Sequence, residues 1–186
     1  MHLLILGLLM WTFIHLFPSV AKCTRGLIIS KIGIGPYKGL FAILIVLSVV
    51  LIVLGWRSIE PDDVYVPQNW GRHVTFLLVL LTFILFVAAR RATNIKRFLR
   101  HPQLTGLVLW SIGHLLDNGD NRSLILFSWL GVWAILEMIL ISRREGEWIK
   151  PERVSVKNDV ITVMGGCILY SVLLIVHPYL TGSELV

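Results

Sequence analysis

Six apolar runs divide the chain: residues 2–21, 38–56, 73–92, 103–117, 123–141 and 159–178. A helix that crosses a bilayer needs about 20 mostly apolar residues. Five runs meet that length. The fourth is shorter, and Gln103 and Asp117 at its ends extend it into the interface. The pattern predicts an all-α, polytopic membrane helical bundle of about six transmembrane helices, organised as a single domain over residues 1–186. The first run reads as a span and not as a leader peptide, because no basic segment precedes it and its apolar stretch outruns a leader's core. No internal repeat or low-complexity segment stands out.

The polar positions orient these spans. Of 17 Lys and Arg residues, fourteen fall in three connecting segments. Lys22, Arg25, Lys31 and Lys38 follow the first span, and Arg90, Arg91, Lys96, Arg97 and Arg100 follow the third. Arg143, Arg144, Lys150, Arg153 and Lys157 follow the fifth. Only Arg57, Arg72 and Arg122 fall on the other side. Basic loops stay in the cytoplasm, so both termini are expected on the non-cytoplasmic side of a bacterial inner membrane. Losing the fourth span would break this alternation.

Composition agrees. Hydrophobic residues make up 56% of the chain and charged residues 15%, against about 25% charged in soluble domains. The net charge of +6 lies in short clusters between apolar runs, which points to membrane lipid and away from nucleic acid. Cys23 and Cys167 form neither CxxC nor CxxCH. That excludes covalent haem attachment and argues against a cysteine zinc site.

Ionisable groups inside lipid are costly and mark function by default. His2, His73 and His177 lie at span ends and read as interfacial. His15 lies inside the first span, with no charge within six residues. Two readings stand for it: a neutral imidazole bonded to a carbonyl or a neighbouring helix, or a metal or haem ligand. His114 is the other deep histidine. Gln103 precedes it by eleven residues, three helical turns to within about 20°. Gln103, Gly106, Trp110 and His114 therefore share a face expected to point into the bundle, flanked by the small residues Ser111 and Gly113. His101 lies roughly 140° from His114 on a continuous helix, so the two cannot chelate one metal as a helical pair. His101-Pro102 reads as a helix start, placing His101 beside Arg97 and Arg100, where an anion or cofactor carboxylate could dock. Glu137 follows Trp129 and Trp133 at i+4 spacing and is expected to pair with the basic loop after it, with proton relay as the alternative. Asp117-Asn118-Gly119-Asp120 reads as a tight turn of residues that tolerate left-handed backbone.

The segment Arg100-His101-Pro102-Gln103-Leu104-Thr105-Gly106, continuing through Trp110 and His114 to Asp117-Asn118-Gly119-Asp120, resembles the NnrU family. These are small bacterial membrane proteins linked by gene context to nitrite and nitric oxide metabolism. The 15-cis-ζ-carotene isomerases are similar to the same family. Ile32-Gly33 and Tyr37-Lys38-Gly39-Leu40-Phe41-Ala42 extend the likeness. The resemblance implies a non-covalent haem b with His15 and His114 as axial ligands, and a site that includes His101, Arg100, Gln103 and Trp110. It also implies either a role in denitrification or isomerisation of a lipophilic polyene. Ser111 stands where the isomerases carry a cysteine, three positions before the second histidine.

Two further readings compete. Arg100-His101-Pro102 and Gly106 also resemble a signature of isoprenylcysteine carboxyl methyltransferases, which use S-adenosylmethionine. The segment from Arg143 to Arg153 has the Glu and Gly of their second motif but lacks its tyrosines. The other reading is a non-catalytic adaptor, associating with a membrane partner or a second copy through faces such as Gly165-Gly166.

Overall fold

A computed structural model describes residues 1–181. Among them are seven α-helices: α1 (His2–Val20), α2 (Lys22–Ile32), α3 (Ile34–Arg57), α4 (Gly71–Arg90), α5 (Pro102–Asp117), α6 (Asn121–Glu145) and α7 (Val156–Thr181). A 3₁₀ turn spans Asn94–Arg97. No strand is present among the described residues beyond one isolated bridge, Asp63 to Asp120. Each of the six apolar runs is a helix. Five of these, α1, α3, α4, α6 and α7, are long and apolar enough to cross a membrane. The helix over the fourth run, α5, has only 16 residues. Large apolar side chains cover the helices' outer faces, among them Phe13, Ile43, Val46, Val132 and Ile168. Such a surface is suited to contact with lipid.

One helix was not legible in the apolar pattern. The first basic connection is itself helical, as α2. Pro18, which has no N–H to donate, lies in the last turn of α1, and that helix ends two residues later. Gly33 separates α2 from α3 with φ +84°, a backbone that only glycine adopts readily.

Contacts divide the chain into two compact units. Among the described residues the first comprises 1–66 and 118–146, the second 67–117 and 147–181. In the first unit α1 packs antiparallel on α3 at two glycines. A Cβ on Gly7 would lie 2.7 Å from the backbone nitrogen of Ile52, and one on Gly55 would strike the backbone of Leu4. α6 closes against α1 through Trp129 Nε1, which donates to Thr12 Oγ1 at 2.9 Å. At the basic end Arg144 donates to Ser19 Oγ. At the opposite end Arg122 donates to the Ile59 carbonyl and lies over the Trp56 ring. The turn before α6 departs from expectation: no residue in it has positive φ. It is held by pairing instead, with Val64 and Tyr65 N–H donating to the Gly119 carbonyl, and Asp120 caps α6.

In the second unit α4 and α5 pack antiparallel along a seam of paired small residues. Thr75 Oγ1 donates to the Gly113 carbonyl at 2.6 Å, and Thr82 Oγ1 to the Gly106 carbonyl at 2.8 Å. Both the threonines and the glycines are seven residues apart, two helical turns. The absent glycine side chains let the hydroxyls reach across. α7 packs on α4 at Gly166, so the Gly165-Gly166 pair, read from sequence as a partner surface, is used within this unit.

A polar knot fastens the end of α4 to the start of α7. Asp159 accepts from Thr93 Oγ1, Asn94 N and Asn94 Nδ2. Asn94 also exchanges bonds with Val154 N and O. Asn94→Ala removes several of these bonds at once and is expected to destabilise the protein by about 1–3 kcal/mol, read as a lower thermal midpoint in detergent.

Candidate functional site

His15 sits in α1 between aromatic rings. The ring of Trp11, one turn earlier, lies 4.1 Å away between centroids, Trp133 of α6 lies 4.9 Å away and Phe41 of α3 5.8 Å. Its Nδ1 is 2.9 Å from the Trp11 carbonyl. A carbonyl can only accept, so this contact puts the proton on Nδ1 and leaves Nε2 with its lone pair. Metal-bound histidines are commonly held by this arrangement. Two buried indole N–H groups around the imidazole, Trp11 Nε1 and Trp133 Nε1, have no hydrogen-bond partner.

Glu137 lies one turn beyond Trp133 and is buried, with Oε2 lacking a partner. The expected ion pair with the basic loop does not form. Arg144 turns to Glu145 at 3.3 Å and to Ser19.

His114 repeats the pattern in the second unit. Its Nδ1 is 2.9 Å from the Trp110 carbonyl, and the two rings lie 4.7 Å apart. One turn of α5 earlier, Ser111 Oγ is buried without a partner. Each unit thus carries one W-x-x-x-H turn with the same tryptophan carbonyl on the same ring nitrogen. Sequence reading marked both histidines but did not compare the two pentapeptides, Trp11-Thr12-Phe13-Ile14-His15 and Trp110-Ser111-Ile112-Gly113-His114.

The face expected to point inward on α5 is only partly buried. The buried positions are Pro102, Gly106, Ser111 and Gly113. Trp110 and His114 occupy the neighbouring stripe and are half-buried, whereas Gln103 is exposed. The reason is the glycine–threonine seam: α4 packs where α5 has no side chains, which turns the larger residues to one side. Gln103, with Arg90, Arg91 and Phe86, lines a cavity of about 360 Å³. His101 precedes α5 as expected, and its carbonyl accepts from Thr105 N at 2.9 Å. Arg100 lies next to it in the same connection. The Arg143–Arg153 segment is split by the end of α6 at Gly146, with φ +76°, and beyond it the Pro151 carbonyl is held by Arg97.

Among the described residues no three His, Cys, Asp or Glu side chains gather as a metal site. A group bound by one imidazole on each of two elements needs no such cluster. Each histidine has, within its own unit, the Nδ1-to-carbonyl contact common to metal-bound imidazoles.

The family model for NnrU protein matches residues 3–185, nearly the whole chain. The chain belongs to the NnrU family. No curated protein and no solved structure matches it. Both W-x-x-x-H turns of this NnrU protein, and the Arg100–Gln103 segment between them, fall inside the matched residues.

Proposed function

We propose that this NnrU protein is a bacterial inner-membrane protein that binds haem b non-covalently, with His15 and His114 as the residues that would hold its iron. The observation that carries this reading is the duplicated W-x-x-x-H turn, in which a tryptophan carbonyl holds Nδ1 of each histidine. Trp11 and Trp133 lie against His15, and Trp110 lies against His114, flat rings suited to a macrocycle. Arg90, Arg91, Arg100, His101 and Gln103 supply cations and donors on the basic side, suited to the cofactor's carboxylates. Haem so held offers an iron centre for nitric oxide, or a Lewis acid for a lipophilic polyene. The protein's link is then to nitrogen-oxide metabolism, or to cis–trans isomerisation.

The same reading gives six spans with both termini outside. The 16 residues of α5 extend roughly 24 Å, against a hydrocarbon core of about 30 Å that can thin locally around a short span. The first unit supports the charge-based orientation, since Ser19 and Arg144, at the ends of α1 and α6, bond to each other on the basic side.

Oxidised and dithionite-reduced visible spectra of protein purified from haem-sufficient cells test the proposal. The expected result is a Soret band with sharp reduced bands of a bis-histidine b haem, altered by nitric oxide. A colourless protein would overturn it.

A further inference from the structure

The first unit has a second feature beside the proposed haem site, which shares Phe41 with the surroundings of His15. Phe13, Ile14 and Phe17 of α1, Ile28 of α2, and Tyr37 and Leu44 of α3 line an apolar groove of about 320 Å³. That volume lies at the lower end of ligand pockets, about 300–1,000 Å³. α1 and α3 run antiparallel, so the groove has a direction. Phe13 and Leu44 form its deep end, and Tyr37, in the first turn of α3, lies at the basic end of the unit.

Two polar groups at that mouth lack partners. Tyr37 is 9% exposed, and its hydroxyl is buried with no hydrogen bond. The Arg25 guanidinium lies 5.8 Å from the centre of the Tyr37 ring, and Arg25 Nε is likewise buried and unpaired. A buried phenol and a buried guanidinium N–H are both donors, and leaving them unmet is costly. Residues 22–41 contain Lys22, Arg25, Lys31 and Lys38 and no acidic residue. The chain therefore supplies donors and positive charge at the mouth, apolar surface in the depth, and no carboxylate within residues 22–41.

We propose that this groove binds an acidic phospholipid, with an acyl chain between α1 and α3 and the headgroup phosphate at Arg25 and Tyr37. The chemistry is complementary at both ends: an anion with several acceptor oxygens meets two unmet donors, and a hydrocarbon chain fills a hydrocarbon-lined groove. Basic recesses between spans on the cytoplasmic side are suited to such headgroups. A neutral amphiphile would fill the groove and leave the positive charge at its mouth without a counter-ion. Free phosphate would satisfy the mouth and leave the groove unfilled.

The full-length protein in neutral detergent is mixed with equal amounts of dioleoyl phosphatidylglycerol and dioleoyl phosphatidylcholine, and retained lipid is counted by native mass spectrometry. Phosphatidylglycerol is expected to be retained about five-fold over phosphatidylcholine, the scale of one cation acting on an acidic headgroup. Arg25→Gln brings the ratio close to one. Tyr37→Phe lowers the amount of phosphatidylglycerol retained by about three-fold through loss of one hydrogen bond to the phosphate and carries the test if the arginine variant does not fold. Leu44→Trp, which fills the deep end, lowers retention of both lipids. Lys31→Gln leaves the ratio unchanged, because Lys31 is exposed and only Arg25 lies against the Tyr37 ring. Equal retention of the two lipids by the wild type would overturn the proposal. Unchanged phosphatidylglycerol retention in Tyr37→Phe, or a Lys31→Gln effect on the ratio as large as that of Arg25→Gln, would do the same. Displacement of the phosphatidylglycerol by inorganic phosphate would assign the mouth to a free anion and overturn the lipid.

Discussion

His15→Ala is expected to remove the Soret absorbance of the purified protein, and His114→Ala to do the same. The argument rests on what each imidazole does in place. Nδ1 is engaged by a tryptophan carbonyl in both cases, so Nε2 carries the lone pair and the ring is held before any iron arrives. Alanine removes the ligand atom and the side-chain bond to that carbonyl, which keeps its helical backbone donor. Loss of a group that merely orients a metal ligand already costs about 10–100-fold in affinity, so loss of the ligand itself should exceed that. Both imidazoles are only half-buried, so each variant should still elute as a monodisperse species. Haem loss is then separable from unfolding. Retention of full, unaltered haem by either variant would remove that histidine from the ligand set.

Gly166→Leu is expected to disrupt the second unit. A Cβ at Gly166 would lie 2.6 Å from the Ile84 Cα and 2.8 Å from its nitrogen. Backbone cannot move aside as a side-chain tip can, so α7 would have to lift off α4. Overpacking by even one or two methylenes costs about 1–3 kcal/mol, and leucine adds four carbons at the point of closest approach. The expected outcome is loss of the monodisperse peak, or a sharply lower thermal midpoint. Gly165→Ala is the control. Its Cβ would meet only Val87 side-chain methyls, the nearer at 3.4 Å, so it should be close to neutral. Equal damage from both substitutions would contradict the packing described for α4 and α7.

Elements with a single dominant signal were legible from sequence. Each apolar run became a helix because burying main-chain polar groups in lipid leaves the helix as the available local solution. His101-Pro102 starts α5 because proline tolerates the first helical position. Both deep histidines were visible as ionisable groups where none is expected. What escaped were features set by pairing between distant segments. α2 was hidden because its polar residues interrupt the apolar pattern. The Thr75–Gly113 and Thr82–Gly106 seam depends on two heptads running in opposite directions, and it decides which face of α5 is buried. Gln103 is therefore exposed where a single-helix argument placed it inward. Asp159 carried no signal alone and matters only through Thr93 and Asn94. Glu137 lost its expected partner because Ser19 and Glu145 engage Arg144.

The central claim is tested most directly by counting haem against protein. Wild-type protein purified from haem-sufficient cells, assayed by pyridine haemochrome and by quantitative amino-acid analysis, should carry one haem b per chain. Protein from the same cells with negligible haem, folded and monodisperse, would contradict the account.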